Sequence, residues 1–128
     1  MRPTTIAAVA LIATAALLLG ACSDDDAEKK SDSNDHSRVT KKAPSDTVQV
    51  GLIEYTVTAD KPSVKAGAIK FEARNTSQSQ VHELAVLLVK PDGSTENTGE
   101  IEDIAPGKSG TVVLDLPAGK YELACLIA

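Results

Sequence analysis

From Thr47 onward the apolar side chains recur every second residue in short runs, and each run is cut off by Pro, Gly or Asn. A period of two places alternate side chains on opposite faces of an extended strand. Short strands with closely spaced turn signals predict an all-β sandwich or barrel. Val48, Val50 and Leu52 alternate, and the phase then slips by one residue to Ile53, Tyr55 and Val57. Such a slip within one strand predicts a β-bulge. Pro62 and Lys65-Ala66-Gly67 read as turns around Val64, and Ile69, Phe71 and Ala73 as the inward face of a second strand. Asn75-Thr76-Ser77-Gln78-Ser79 reads as a polar loop. His82, Leu84, Val86 and Leu88 then alternate up to a turn at Pro91-Asp92-Gly93-Ser94. A looser stretch with Ile101 and Ile104 runs to Ala105-Pro106-Gly107. Thr111 to Leu116 is a further strand, and Tyr121, Leu123, Cys125 and Ile127 alternate on the last. No segment sustains a helical period.

The N-terminus follows different rules. Arg2 is followed by an apolar run, Ile6 to Leu19, interrupted only by Thr14. That is short of the roughly 20 residues a bilayer-spanning helix needs and fits the core of a secretory signal peptide. Leu19-Gly20-Ala21-Cys22 resembles the lipobox of bacterial lipoproteins, and Ser23-Asp24-Asp25-Asp26 follows directly. Residues 1–21 are therefore expected to be a lipoprotein signal peptide, with Cys22 the lipidated first residue. There is no Arg-Arg pair, which points to the general export route. Acyl chains on Cys22 would hold the protein at a membrane surface, placing it in the cell envelope, outside the cytoplasm. Residues 22–46 carry charges of both signs and Val39 as their one β-branched aliphatic, so they are expected to form a disordered linker. Residues 47–128 form the folded domain.

Composition removes several functions. The 128 residues carry a net charge of −5 and three aromatics, Tyr55, Phe71 and Tyr121. Neither a phosphate-backbone surface nor a base-stacking platform is built that way, so no nucleic-acid partner is expected. There is no Gly-rich phosphate loop, no Ser/His/Asp arrangement and no histidine cluster, which argues against an enzyme. Glu83, Glu100 and Glu102 read as solvated carboxylates, and His36 as a linker residue. With Cys22 lipidated, Cys125 is the one thiol of the domain.

Val64-Lys65-Ala66-Gly67, Ile69-Lys70-Phe71, Asn75-Thr76-Ser77, His82-Glu83-Leu84, Ala105-Pro106-Gly107 and Pro117-Ala118-Gly119-Lys120-Tyr121-Glu122-Leu123-Ala124-Cys125 occur in that order. Together they resemble the cupredoxin family, the blue-copper proteins of the plastocyanin and azurin type, over residues 47–128. The resemblance implies a Greek-key β-sandwich and one type 1 copper ion held by two imidazoles, a thiolate and a weak axial thioether. It implies that His82 and Cys125 are metal ligands and that Asn75 holds the ligand loops in place. The implied function is one-electron transfer with a redox protein partner. The family pattern continues with a second histidine and usually a methionine beyond the cysteine, then a closing strand. This sequence ends at Leu126-Ile127-Ala128. The expectation is therefore a truncated chain lacking its last ligand loop and closing strand, with an unpaired sheet edge. One histidine and one cysteine alone make a poor Cu(II) site. The alternative is a copper-handling or metal-free interaction module without redox activity.

Overall fold

The computed structural model describes residues 9–14, 38–54 and 56–127. Among them nine strands form two sheets. The strands are β1 (Val9–Thr14), β2 (Asp46–Ile53), β3 (Thr56–Ala59), β4 (Ser63–Lys65), β5 (Gly67–Asn75), β6 (His82–Val89), β7 (Thr95–Ile104), β8 (Ser109–Leu116) and β9 (Gly119–Ala124). One sheet has the order β4-β1-β9-β6-β7 and the other β3-β2-β5-β8. In the second, β2 and β5 run parallel, while β3 and β8 flank them antiparallel. Both sheets are mixed, and the all-β expectation holds.

Alternation decides what faces inward. Val48, Val50 and Leu52 from β2, Ile69, Phe71 and Ala73 from β5, and Leu114 and Leu116 from β8 are buried. They meet Leu84 and Val86 of β6 and Tyr121 and Leu123 of β9 across the sandwich in one apolar core. The Tyr121 hydroxyl donates to Pro117 O at 2.6 Å, so the largest buried side chain also satisfies its polar end.

The sheets approach most closely where β7 lies against β8. A side chain at Gly99 would put its Cβ 2.3 Å from Leu114 Cδ2, and one at Gly110 would sit 2.5 Å from Ile101 Cγ2. Leu114 is fully buried and cannot swing into solvent. Gly99→Ala is therefore expected to cost about 1–3 kcal/mol by overpacking, measured as a lower urea midpoint with an unchanged slope.

Four sequence expectations change. The phase slip after Leu52 is a tight hairpin, not a bulge: Leu52 pairs with Val57 and Ile53 with Thr56 across a two-residue loop. Ile53 is consequently exposed, and Tyr55 lies outside the described residues. The looser stretch before Pro106 is a ten-residue strand, β7, paired with β6 through two register shifts. Those irregularities break the alternation that would have revealed it. Cys125 lies just past β9, and Ile127 is exposed, so the last strand is shorter than its apolar pattern.

The fourth change concerns the ends. Residues 38–40, expected in the disordered linker, are hydrogen-bonded along the sandwich. Arg38 N–H donates to Thr98 O, Thr40 N–H to Val113 O, and Asp115 N–H to Arg38 O. The outer edge of β9 is covered by β1, which comes from the apolar run read as leader. Most of the linker, Cys22 and His36 lie outside the described residues.

Candidate metal centre

One end of the sandwich gathers the β2–β3 hairpin, the loop 76–81 between β5 and β6, the turn 105–108 between β7 and β8, and the segment after β9. Parallel pairing places Leu52 beside Asn75, and antiparallel pairing places His82 beside Ile104. His82 opens β6, and Cys125 follows the end of β9, the strand paired with β6 on its other side. Residues 43 apart in sequence are thus brought together.

His82 is buried, and its Nδ1 stands 3.7 Å from Cys125 Sγ. A first-row ion bonds imidazole nitrogen at about 2.0 Å and thiolate sulfur at about 2.3 Å. Two such donors about 120° apart, as in a trigonal plane, stand about 3.7 Å from each other, whereas a linear pair stands about 4.3 Å apart. The observed 3.7 Å would let both atoms reach one ion, and it is equally the length of a sulfur–imidazole hydrogen bond. Backbone N–H of Glu83 points at the same sulfur, 3.5 Å away. The Nε2 of His82 is buried with no hydrogen-bond partner among the described residues. In a ring whose Nδ1 lone pair faces a metal, Nε2 carries the proton.

Asn75 is the keystone of the loops around this pair. Fully buried, it donates through Nδ2 to Gln80 O at 2.7 Å and to Ile104 O at 2.8 Å, and its Oδ1 accepts from Ser77 N–H at 2.9 Å. Its backbone N–H donates to Lys108 O, and its carbonyl accepts from Gly107 N–H. One side chain and its peptide groups therefore fasten the loop entering His82, the end of β7 and the 105–108 turn. Gly107 makes that turn with φ of 72°, the left-handed conformation glycine adopts without steric cost.

Two carboxylates have structural roles that their sequence positions do not display. Glu83, read as solvated, accepts from Leu126 N–H through Oε1 at 2.9 Å and so ties the segment after Cys125 to the start of β6. Glu54 accepts the Ser77 hydroxyl, which in turn accepts from Gln80 N–H. The Ser77 hydrogen bond is the main cause that holds the Glu54 carboxyl below its ordinary range. A carboxylate whose folded pKa is depressed adds stability above its unfolded value, about 4.3, and that stability is lost as the pH falls through the folded pKa. Glu54→Gln is expected to flatten the acid limb of a plot of melting temperature against pH below about pH 4.5. An unchanged limb would show that the Ser77 contact contributes nothing.

Among the described residues no three His, Cys, Asp or Glu side chains converge as a complete cage. His82 and Cys125 would supply two donors, an imidazole nitrogen and a sulfur, to one ion. A cleft of about 630 Å³ lined by Arg38, Val39, Gly67, Asp115 and Pro117 lies at the other end of the sandwich, remote from this pair.

No family profile and no curated protein matches the chain. Among solved structures it is similar to dithionite-reduced auracyanin from the photosynthetic bacterium Roseiflexus castenholzii. The match has 22% sequence identity and a TM-score of 0.51, and it covers 65% of this chain and 86% of that one. The fold is cupredoxin-like. At that identity the likeness bears on architecture alone. In this cupredoxin-like fold His82 and Cys125 come from the start of one strand and just past the end of its neighbour, which is why they meet although they lie far apart in sequence. Glu83, Ser77 and Glu54 brace these loops through contacts across 2 to 43 residues of sequence, and the local ones, Asn75 with Ser77 and the Ser77 hydroxyl with Ser79 and Gln80, have the form of Asx and Ser turns.

Proposed function

We propose that this chain is an extracytoplasmic, lipid-anchored copper protein that carries single electrons, with His82 and Cys125 as two ligands of a type 1 site. The single observation that carries the reading is the approach of His82 Nδ1 and Cys125 Sγ to 3.7 Å at one end of the sandwich. The cupredoxin-like architecture and its likeness to an auracyanin described in a chemically reduced form support it. Copper, when bound, supplies the Cu(II)/Cu(I) couple. The protein's own residues hold the donors: Asn75 fixes the loop before His82, and Glu83 fixes the backbone after Cys125. The Glu83 N–H on Sγ is the type of contact that tunes a metal–thiolate bond. The second imidazole of such a site comes from outside the described residues. His36 is the other histidine of the sequence. The chain acts as a carrier for a redox protein partner and not as a catalyst.

Titrating Cu(II) into the full chain tests the reading. The expected result is an intense visible thiolate-to-copper band, absent from Cys125→Ser and lost or strongly shifted in His82→Ala. No band at any Cu(II) concentration overturns electron transfer through this site. Tight Cu(I) uptake without a band would assign the pair to copper handling. The anchoring proposal has its own check: Cys22→Ala is expected to move the protein from the membrane fraction to the soluble fraction of an expressing bacterium.

A further inference from the structure

The apolar run ahead of Cys22 has a second place in this molecule. Val9–Thr14 is seated as β1 between β4 and β9, parallel to the first and antiparallel to the second. Its hydrogen bonds reach both neighbours. Ile12 N–H donates to Pro62 O, and Ala66 N–H donates to Thr14 O, on the β4 side. On the other side the register runs from Val9↔Leu123 to Ala13↔Gly119. Its side chains obey the sheet's period: Leu11 and Ala13 are buried in the core, while Ile12 is 54% exposed.

Among the described residues β4, of three residues, pairs with β1 alone, so β1 is what joins it to the sheet. Among the same residues the outer edge of β9 pairs with β1 alone. A short strand and a free edge, separated by one strand's width over Tyr121 and Leu123, form a template for strand addition. The strand that fills it lies far from the domain in sequence.

We infer that the space between β4 and β9 is a strand-acceptor slot, filled here in cis by Val9–Thr14 and open to exchange with another extended peptide of the same pattern. The slot selects a six-residue strand antiparallel to β9, with a leucine-sized side chain at the Leu11 position and a small one at the Ala13 position, opposite Gly119. The outward positions tolerate polar residues. Under the lipoprotein reading, cleavage ahead of Cys22 takes β1 out of the slot; that step rests on the proposed function, whereas the slot itself does not.

Two experiments on the full chain test it, both without copper, so their failure leaves the metal reading untouched and the converse also holds. Ile12 turns its peptide groups toward β4, which makes Ile12↔Lys120 a non-hydrogen-bonded pair, with Cα atoms about 4.5 Å apart as a disulfide requires. Ile12→Cys with Lys120→Cys is expected to form that crosslink under native conditions and not in urea, located by peptide mapping against Cys22 and Cys125. Absence of the native crosslink overturns the placement. The second experiment inserts a protease site within residues 15–37, folds the chain, cuts it, and adds a labelled peptide of residues 8–15 flanked by lysines. The cut fragment is expected to stay bound and to be displaced by the labelled peptide. An Ile12→Lys peptide should compete about equally, and a Leu11→Asp peptide at least about 100-fold more weakly, since it buries an unpaired charge. Equal uptake of all three peptides overturns the inference, as does a cut protein that releases β1 and dimerises while refusing peptide.

Discussion

Asn75→Ala is expected to lower the unfolding free energy by about 2–6 kcal/mol, since it leaves one carbonyl and one N–H in the interior without partners at about 1–3 kcal/mol each, less what water entering the gap recovers. The carbonyl is that of Ile104 and the N–H that of Ser77, while the part-buried carbonyl of the exposed Gln80 can turn to water. Asn75→Asp is expected to be no better. It keeps the acceptor for Ser77 but loses both donors and places a charge at a position with no exposure. Urea unfolding monitored by circular dichroism reads the loss. Because the same contacts set the path into His82, the alanine variant should also weaken copper uptake under conditions where it stays folded. A loss below about 1 kcal/mol would mean the loops hold their shape without this side chain.

Tyr121→Ala is expected to cost about 3–5 kcal/mol, the range for emptying a buried aromatic position. Tyr121 is fully buried, lies opposite Leu11 in the β1–β9 register, and packs in the one large core cluster. Tyr121→Phe isolates the polar part. It keeps the ring and strips the donor from Pro117 O, so about 1 kcal/mol is expected. Burial raises the phenol above its ordinary value, with a smaller opposing effect from Arg38. A raised folded pKa means that its stabilisation is complete below the unfolded value, about 10, and declines as the pH rises through the folded one. The alkaline limb of the stability curve should therefore fall less steeply in Tyr121→Phe than in the wild type. If the two limbs coincide, the hydroxyl does not feel the core.

Much of the sandwich was legible in the sequence because a half-buried strand writes its orientation into every second residue. Ile69, Phe71 and Ala73, or Leu84 and Val86, needed nothing else. β7 was illegible for a physical reason. It is an edge strand rich in Glu, Asn and Thr, and two register shifts against β6 destroy its period. The hairpin at Glu54 imitated a bulge because a two-residue turn and a one-residue slip shift an apolar pattern in the same way. In the candidate site, His82, Cys125 and Asn75 could be singled out from motif order. Their distances could not, and nor could the carboxylate roles of Glu54 and Glu83, since each rests on contacts between loops from different strands.

The sequence by itself determined the all-β class, the inward faces of most strands and the two donor types available to a metal. These depend on local periodicity and on the chemistry of single side chains, and both survive without knowledge of the fold. The tertiary structure alone decided that Nδ1 of His82 and Sγ of Cys125 stand 3.7 Å apart, and that Val9–Thr14 pairs between β4 and β9. An apolar run such as Ile6 to Leu19 satisfies a leader and a buried strand equally well. Where residues 9–14 pair in this structure depends on strand edges elsewhere in the chain, and no local pattern records where those edges lie.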